Sequence, residues 1–325
     1  MIIARSPLRI SIGGGGTDLP SYYEEHGGFV LSAAIDKYVY ITVHETFQPH
    51  FFVRYSSIES PVSVKDIRHP MIREALLRYE HEAPFLEITS LADIPAGTGL
   101  GSSGSFMTCL LKALAAYKRV SLTTEELAKA ACHVEIDVLK ESVGKQDQYI
   151  AAYGGLTSFH FEKDGTVRTE PAMLANDTLY ALEDNLIMFF TGYTRKASDI
   201  LKEQDAKTKE DDKSMIENLH LVKEIGLKIK DALEQNNPDA FGSLMHEHWL
   251  LKKKRSKTMS NDLINDIYEV AMKKGALGGK LIGAGGGGFL LFYCRDKIKV
   301  REAMREFGLN ELRFRFDFEG TKVIV

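Results

Sequence analysis

The amino-acid sequence predicts an α+β protein that is divided into two domains. Its 325 residues are enough for two compact domains, and a composition of 44% hydrophobic and 26% charged residues is ordinary for a globular protein. The first half mixes strand-like segments of period two with helix-like segments, and a polar, helix-favouring stretch follows from about residue 198. We predict the boundary near residues 175–185, which gives domains at 1–180 and 181–325.

Periodicity and capping signals define the elements of the first half. Alternation predicts a strand at Tyr38–Thr46, with Phe51–Tyr55 as its hairpin partner. Thr123 to Glu126 has the form of a capping box, so we predict a helix that starts there and reaches towards Lys140. The other predicted elements of this half are strands over Ile2–Ile12 and Phe85–Ala92 and a helix over Ser102–Tyr117.

The second half combines a few apolar strands with longer helices. Strand character returns at residues 156–161 and at Leu186–Gly192. The later predicted elements are helices over 198–230, 238–254, 260–274 and 296–306, strands over 276–282 and 288–294, and short terminal strands.

Charge and cysteine content exclude several classes of protein. A formal net charge of −4 provides no overall basic field, so we predict neither a nucleic-acid partner nor a membrane partner. The three cysteines are odd in number and lie among apolar residues, which is typical of free, buried thiols in a reducing compartment. Without a leader-like start or an apolar run of about 18 residues, the sequence predicts a cytoplasmic protein.

The strongest motif is the glycine- and serine-rich turn Pro95–Ser105, which follows a predicted strand and precedes an apolar helix. Closely spaced glycines let backbone N–H groups approach an anion, and the start of the helix adds its positive end at the same point. The turn is not a Walker A loop, because no lysine follows its last glycine, and it lacks the setting of a dinucleotide fingerprint. It therefore predicts a phosphate-binding loop, and a plain connector is the alternative.

Two further glycine tracts support the phosphate-binding interpretation. The tract Lys280–Phe289 holds four successive glycines between two apolar strands, more than a simple turn requires. We expect its backbone to approach a ligand or the Pro95–Ser105 turn. The run Arg5–Asp18 ends in Gly13–Gly16 and places Arg9 between apolar residues on a strand, where it could face an anion or lie at an edge.

Two carboxylates are candidates for the chemistry of phosphoryl transfer. On the predicted helix after Thr124, Glu135 falls within an apolar stripe, where a carboxylate needs a cation or donors beside it. A metal ligand and a buried salt bridge are the two interpretations. Asp147 lies in the element Gly144–Tyr149, where it is either a catalytic carboxylate or a helix cap.

In order and spacing, these three segments resemble the sequence motifs of the GHMP kinases, which include galactokinase, homoserine kinase and mevalonate kinase. The resemblance spans nearly the whole chain, and the middle motif P-x-x-x-G-L-G-S-S is matched at every fixed position. It implies an N-terminal domain like domain 2 of ribosomal protein S5 and a ferredoxin-like C-terminal domain, with ATP and substrate meeting between them. Within the family, residues 5–40 most resemble the bacterial D-glycero-D-manno-heptose 7-phosphate kinases.

The resemblance also assigns roles to individual residues. It implies that Asp147 is the catalytic base, that Ser103 and Glu135 bind Mg²⁺, and that Arg9 and Lys145 neutralise developing charge. The residues implied to bind the ATP phosphates are Pro95, Gly97, Gly99, Leu100, Gly101, Ser102, Ser103, Gly104, Gly285 and Gly286.

The substrate-facing residues depart from those of galactokinases. Where galactokinases carry G-E-H-T-D-Y, this sequence has Gly14 to Leu19, so that the aspartate is kept as Asp18 but the Glu-His pair is absent. This departure favours a substrate bulkier than galactose. The residues expected to contact the substrate are Arg9, Gly15, Gly16, Thr17, Asp18, Gly286 and Arg195.

Basic residues outside these motifs receive separate interpretations. Arg195 and Lys196 follow a strand and precede a helix, so they either bind a phosphate of the substrate or form a solvated helix start. The run Lys252–Arg255 is predicted to be a solvated helix face. His246 and His248 point to different sides of a helix, and we exclude a zinc site there.

Together, the motifs predict an ATP- and Mg²⁺-dependent kinase whose partner is a small sugar phosphate. The expected reaction converts D-glycero-D-manno-heptose 7-phosphate to the 1,7-bisphosphate. The alternatives are another sugar 1-kinase, for L-fucose or galactose, a catalytically silent sugar sensor on the same fold, and a decarboxylase. A homodimer is compatible with the sequence, which leaves the oligomeric state, the anomer and the choice between ATP and GTP open.

Overall fold

The fold consists of two mainly antiparallel sheets with helices packed against them. A computed structural model describes residues 1–79, 84–193, 197–210, 212–256 and 258–325, with the backbone alone for 197–199. In these ranges the larger sheet has eight strands and the smaller sheet has four. The predicted α+β class is confirmed.

The larger sheet is formed mainly by the first half of the chain. Its order is β12-β1-β2-β5-β3-β4, with β6 pairing with β2 further along that long strand and β7 at the edge of β6. Its strands are β1 (Ile2–Gly13), β2 (Gly28–Glu45), β3 (Phe52–Arg54), β4 (Ile58–Glu59), β5 (Leu86–Ala92), β6 (Leu156–Phe161), β7 (Val167–Pro171) and β12 (Lys322–Val323).

One predicted strand pairing is wrong. Phe51–Tyr55 contains β3, but β3 does not form a hairpin with β2. It pairs in parallel with β5 and antiparallel with β4. The reason is that β5 already occupies the edge of β2 from Val39 to Glu45.

One group of helices packs with the larger sheet, and their shared core is formed by apolar side chains of β2, β5 and the helices. The predicted capping box at Thr123 is confirmed, but the helix that it starts becomes a π-helix over His133–Val138. A π-helix has more residues per turn than an α-helix, and short π-helical segments frequently mark functional sites. The helices are α1 (Pro20–His26), α2 (Pro70–Arg78), α3 (Ser102–Tyr117), α4 (Thr124–Cys132) and α5 (Gln146–Tyr153), with a 3₁₀ turn at Val64–Asp66.

The smaller sheet belongs to the second half of the chain and has the order β11-β8-β10-β9. Its strands are β8 (Leu186–Phe190), β9 (Gly278–Leu281), β10 (Phe289–Tyr293) and β11 (Asn310–Glu311). The helices of this half are α6 (Asn176–Asn185), α7 (Ala197–Lys209), α8 (Lys213–Glu234), α9 (Pro238–Arg255), α10 (Asp262–Lys273) and α11 (Lys297–Glu306).

Helices α8 and α9 join the two sheets through a shared apolar core. Side chains of β1 and β2 meet those of α8, α9 and the smaller sheet in this core. Helix α8 crosses the end of β1 at a contact between glycines, because a Cβ on Gly226 would lie 2.9 Å from the Gly14 nitrogen. Helix α8 therefore packs on the end of β1, at the place where the first glycine tract, Gly13–Gly16, begins.

The chain leaves the larger sheet after β7 and enters the smaller sheet at β8, and α6 lies between these two strands. The predicted division into 1–180 and 181–325 stays a prediction, and β12 differs from it by returning to pair with β1. The three cysteines are free and buried, which confirms the prediction of free, buried thiols. In the described part of the chain, no helix combines the length and apolar character needed to span a membrane.

Candidate active site

The loop between β5 and α3 has the geometry of an anion cradle. Gly97, Gly99 and Gly101 have φ angles of 79°, 86° and 75°, which L residues with side chains rarely adopt. Helix α3 begins directly afterwards at Ser102, and its N-cap residue, Gly101, has no side chain to cap the first N–H groups. Free N–H groups at the positive end of a 16-residue helix are suited to bind phosphate oxygens.

The glycine tract at residues 283–288, called the third glycine tract from here on, packs against this loop, backbone to backbone. A Cβ on Gly283 would lie 2.5 Å from the Gly99 Cα, and one on Gly288 would lie 2.2 Å from the Thr98 carbonyl oxygen. The expected close approach of this tract to the Pro95–Ser105 turn is thus confirmed. Further along the tract, Gly286 donates its N–H to the Met259 carbonyl at 3.0 Å.

Arg9 on β1 and Asp147 on α5 form a bidentate ion pair beside this loop. Arg9 Nε donates to Asp147 Oδ1 at 2.8 Å and Nη2 donates to Oδ2 at 2.9 Å, while Nη1 donates to the Gly99 carbonyl. The Arg9 side chain is buried, but that of Asp147 is 27% exposed. A planar guanidinium that grips both oxygens fixes the orientation of the carboxylate.

Gly101, the N-cap of α3, and Gly104 in its first turn let the loop approach Asp147. A Cβ on Gly101 would lie 3.3 Å from the Asp147 Cγ, and one on Gly104 would lie 2.7 Å from its Cβ. The capping alternative does not hold for Asp147, because the N-cap of α5 is Lys145 and Asp147 is a first-turn residue whose oxygens are bound by Arg9. The carboxylate is therefore placed directly beside the cradle.

Ser103 and Glu135 are brought together on the other side of the α3 start. Ser103 Oγ donates to Glu135 Oε1, and Gln148 Nε2 donates to Oε2 at 2.7 Å. Burial raises the pKa of the Glu135 carboxyl to about 7, although both hydrogen bonds act to lower it and nearby Asp147 acts to raise it. Within the described ranges no cation forms an ion pair with Glu135, so the salt-bridge interpretation has no support there.

These residues fit a divalent cation. Glu135 is a buried carboxylate without a cation, and a serine hydroxyl lies against it. The side-chain amide oxygen Oε1 of Gln148 is buried and has no hydrogen-bond partner within the described ranges. Carboxylate, hydroxyl and amide oxygens are ligands that Mg²⁺ accepts, with substrate phosphates completing its octahedral shell. Sequence reasoning did not single out Gln148, although it directly follows Asp147.

Asp18 and Thr17 hold the first glycine tract in place. Asp18 Oδ1 accepts from Gly16 N at 3.0 Å and Oδ2 accepts from Gln146 N at 3.1 Å, and burial raises its pKa. Thr17 is fully buried, and its hydroxyl contacts backbone groups of Gly14 and Phe29. We therefore assign both side chains to the architecture of the turn, while Gly15 and Gly16 are partly exposed.

Lys145 makes its described contacts away from the Arg9–Asp147 pair. Lys145 Nζ donates to the Gly165 carbonyl at 2.7 Å and lies 4.7 Å from the centre of the Tyr23 ring, so its contacts in the described structure do not include Asp147. Arg195 and the adjacent Lys196 lie outside the described residues. Their predicted roles stay predictions.

The predicted solvated face at Lys252–Arg255 is wrong for two of its four residues. Lys252 and Arg255 are only 6% and 7% exposed, because α9 packs into the junction between the glycine tracts. Lys252 Nζ donates to the carbonyls of Leu281 and Gly283, and burial lowers its pKa to about 7. A charge run resembles a solvent face in sequence, and no local signal separates the buried members.

A third buried cation, Lys280, lies beneath the end of β1. Its Nζ donates to the Ile12 carbonyl at 3.2 Å and lies 3.0 Å from Nδ1 of His248. Burial and the neighbouring cations hold the pKa of Lys280 and that of His248 well below their usual values. His246 instead contacts the Tyr268 hydroxyl through Nδ1 at 2.8 Å, so the two histidines have different neighbours.

Comparisons with known proteins match both halves of the chain to one family. The family model for the GHMP kinases N terminal domain matches residues 70–155, and that for the GHMP kinases C terminal matches residues 229–310. The first match contains the anion cradle, Glu135 and Asp147, and the second contains the third glycine tract.

Similar proteins cover nearly the whole chain. A D-glycero-alpha-D-manno-heptose 7-phosphate kinase of Campylobacter jejuni is 30% identical over 99% of this chain and 98% of its own length. The crystal structure of a D-glycero-D-manno-heptose 1-phosphate kinase from Bacteroides thetaiotaomicron superimposes with a TM-score of 0.80 and 26% identity, covering 100% of this chain and 99% of that one. A bifunctional fucokinase/GDP-fucose pyrophosphorylase of Arabidopsis thaliana is 26% identical over 91% of this chain and 30% of its own length.

The glycine contact predicts a large difference between two matched substitutions. Gly283 and Gly192 both have φ = 80°, but a Cβ meets Gly99 at the first position and, among the described residues, nothing within 4 Å at the second. Gly192→Ala should destabilise by the conformational strain alone, about 1–2 kcal/mol. Gly283→Ala should cost about 1–3 kcal/mol more from the clash. Urea unfolding measures both values, and equal losses would contradict the contact.

The raised pKa of Glu135 predicts a pH dependence of stability in the absence of metal. Between its ordinary value of 4.5 and about 7, the folded carboxyl keeps a proton that the unfolded chain has released. Stability should therefore fall as pH rises through this window, by roughly 3 kcal/mol. Urea unfolding in a chelator at pH 5 and pH 8 measures this loss.

Glu135→Gln should remove that pH-dependent loss. The exposed Glu125 on the same helix provides a control, since Glu125→Gln should leave the dependence as in the unmodified protein. An unchanged dependence in Glu135→Gln would show that another group titrates.

Proposed function

The chain belongs to the GHMP kinases and is a sugar kinase, and we propose that it transfers the γ-phosphoryl group of ATP to the anomeric hydroxyl of D-glycero-D-manno-heptose 7-phosphate. The observation that carries this proposal is the Arg9–Asp147 pair, which presents an oriented, partly exposed carboxylate beside the anion cradle. The substrate is proposed from the relative in Campylobacter jejuni, whose length the chain covers almost entirely.

In the proposed mechanism the protein mainly positions the reactants and stabilises charge. The cradle from Gly97 to Ser102 binds the phosphates of ATP with backbone N–H groups, and the start of α3 stabilises negative charge that develops during transfer. Asp147 accepts a hydrogen bond from the attacking hydroxyl and takes its proton. Arg9 holds that carboxylate in one orientation and contacts the Gly99 carbonyl, so that base and cradle move as one unit.

We assign the metal site to Ser103 and Glu135. Mg²⁺ bound there would neutralise negative charge on the ATP phosphates. Glu135 has to be ionised to bind the cation, which its raised pKa allows above about pH 7. A Mg²⁺ titration of turnover tests the assignment, and an unchanged titration in Glu135→Gln would reject it.

Incubation with Mg-ATP and a panel of sugars tests the proposed substrate. The panel contains heptose 7-phosphate, heptose 1-phosphate, unphosphorylated heptose, L-fucose and galactose, and the assay measures ADP release, product mass and the position of the new phosphate. We expect heptose 7-phosphate to be the preferred substrate and the 1,7-bisphosphate to be its product. Preference for L-fucose or galactose would replace the substrate but keep the kinase.

Substitution of the proposed base predicts a loss of turnover without a loss of nucleotide binding. Asp147→Asn keeps the size of the side chain but removes the proton acceptor, so kcat should fall about 100-fold or more. The Kd of ATP, measured by calorimetry, should change less than about threefold. Asp137→Asn is the control, because Asp137 is exposed and pairs with His133. Near-normal turnover in Asp147→Asn would reject this base.

A further inference from the structure

Arg255 is a buried guanidinium with a free hydrogen-bond donor. Its Nε donates to Asn218 Oδ1 at 2.9 Å, and its Nη1 donates to the Gly15 carbonyl at 3.1 Å and to Gln204 Oε1 at 3.3 Å. Its Nη2 is buried and has no hydrogen-bond partner among the residues that the structure describes. A buried donor without an acceptor costs free energy, so this edge of the guanidinium is suited to a ligand oxygen.

The charge of Arg255 is also left without a direct counter-ion. Its hydrogen-bond acceptors are all neutral, and among the described residues no carboxylate lies within 4 Å of it. Asp18 is near, but both of its oxygens are occupied by the backbone of Gly16 and Gln146. A buried cation whose direct acceptors are all neutral attracts an anion, because the local dielectric constant is low.

Two cations one turn apart on α9 face different glycine tracts. Lys252 contacts the third glycine tract, which packs on the anion cradle between β5 and α3, through the carbonyls of Leu281 and Gly283. Arg255 contacts the tract at the end of β1, through the Gly15 carbonyl, and that tract is partly exposed at Gly15 and Gly16. This arrangement separates a cation on the ATP side from a cation on the substrate side.

We propose that Arg255 is the residue that recognises the phosphate already carried by the sugar substrate. The inference rests on the proposed function and assigns the second anionic group of that substrate to a place in the site. In the present structure Gln204 Oε1 supplies a neutral acceptor to Nη1, and the Gln204 amide also bonds Gly16. A phosphate oxygen would replace this neutral acceptor and satisfy Nη2, with Gln204 turning aside.

The assignment differs from the sequence-based one, which offered Arg195 and Lys196 for this role with a solvated helix start as the alternative. Arg255 makes three hydrogen bonds to fixed groups, so its guanidinium is preorganised and loses little freedom when an anion binds. Fixed donors of this kind discriminate strongly between a phosphate and a hydroxyl, because a neutral hydroxyl leaves the charge uncompensated.

The test compares phosphorylated and unphosphorylated heptose in the unmodified enzyme, Arg255→Gln, Arg255→Lys and Lys254→Gln. Lys254 is the exposed neighbour in the same charge run, so its variant controls for net charge. For heptose 7-phosphate, Arg255→Gln should lower kcat/KM by about 10- to 100-fold, the range of one charge-assisted hydrogen bond, mainly through KM. For unphosphorylated heptose and for the Kd of ATP, the change should stay below about threefold.

Each outcome decides between distinct explanations. Equal losses on both sugars, or a weakened Kd of ATP, would overturn the proposal, as would no loss at all. An unmodified enzyme that does not prefer the phosphorylated sugar would reject the proposed function itself, and this inference with it. If Arg255→Gln does not fold in a thermal melt, Arg255→Lys decides, because it keeps the charge and should still lose activity selectively on the phosphorylated sugar.

Discussion

The ion pair between Arg9 and Asp147 is the contact on which the site depends. It joins β1 to α5, and Nη1 of the same guanidinium donates to the carbonyl of Gly99 in the anion cradle. The backbone of Arg9 also donates to the Leu100 carbonyl at 2.9 Å. Strand, loop and helix therefore share one fixed point, and small residues at Gly101 and Gly104 let them approach it. A catalytic carboxylate gains from such rigidity, since misplacement by about 1 Å costs a large part of the rate.

Buried charge around this point is distributed by sign. Glu135 lies on one side of the start of α3, whereas Lys252, Arg255 and Lys280 lie at the junction of the glycine tracts. Each of these groups is expensive to bury alone, and the shifted pKa values of Glu135 and Lys252 express that cost. Clusters of perturbed groups are characteristic of functional sites. The folded protein thus keeps unfavourable electrostatics that a bound metal and phosphates would relieve.

Local patterns in the sequence were sufficient for much of this arrangement. The apolar stripe around Glu135 indicated a carboxylate in a low-dielectric setting, and four successive glycines indicated a backbone contact, which Gly288 makes with Thr98. Long-range pairing was not predictable in the same way. Arg9 and Asp147 are 138 positions apart, and neither neighbourhood indicates the partner.

The remaining failures also come from long-range contacts. Lys252 and Arg255 have the composition of a surface helix, and only the packing of α9 against two glycine tracts buries them. The parallel pairing of β3 with β5 depends on which strand lies at the edge of β2, and the sequence of neither strand specifies that position alone.

The return of β12 to the larger sheet sets an order on biosynthesis. This strand pairs with Ala4 and Arg5, and the hydroxyl of Thr321 contacts that of Ser6, across more than three hundred positions. During translation the outer edge of β1, the strand that carries Arg9, stays without this partner until β12 has left the ribosome. An open strand edge is prone to pair with other chains. The nascent first half thus has a period of exposure that only the synthesis of β12 ends.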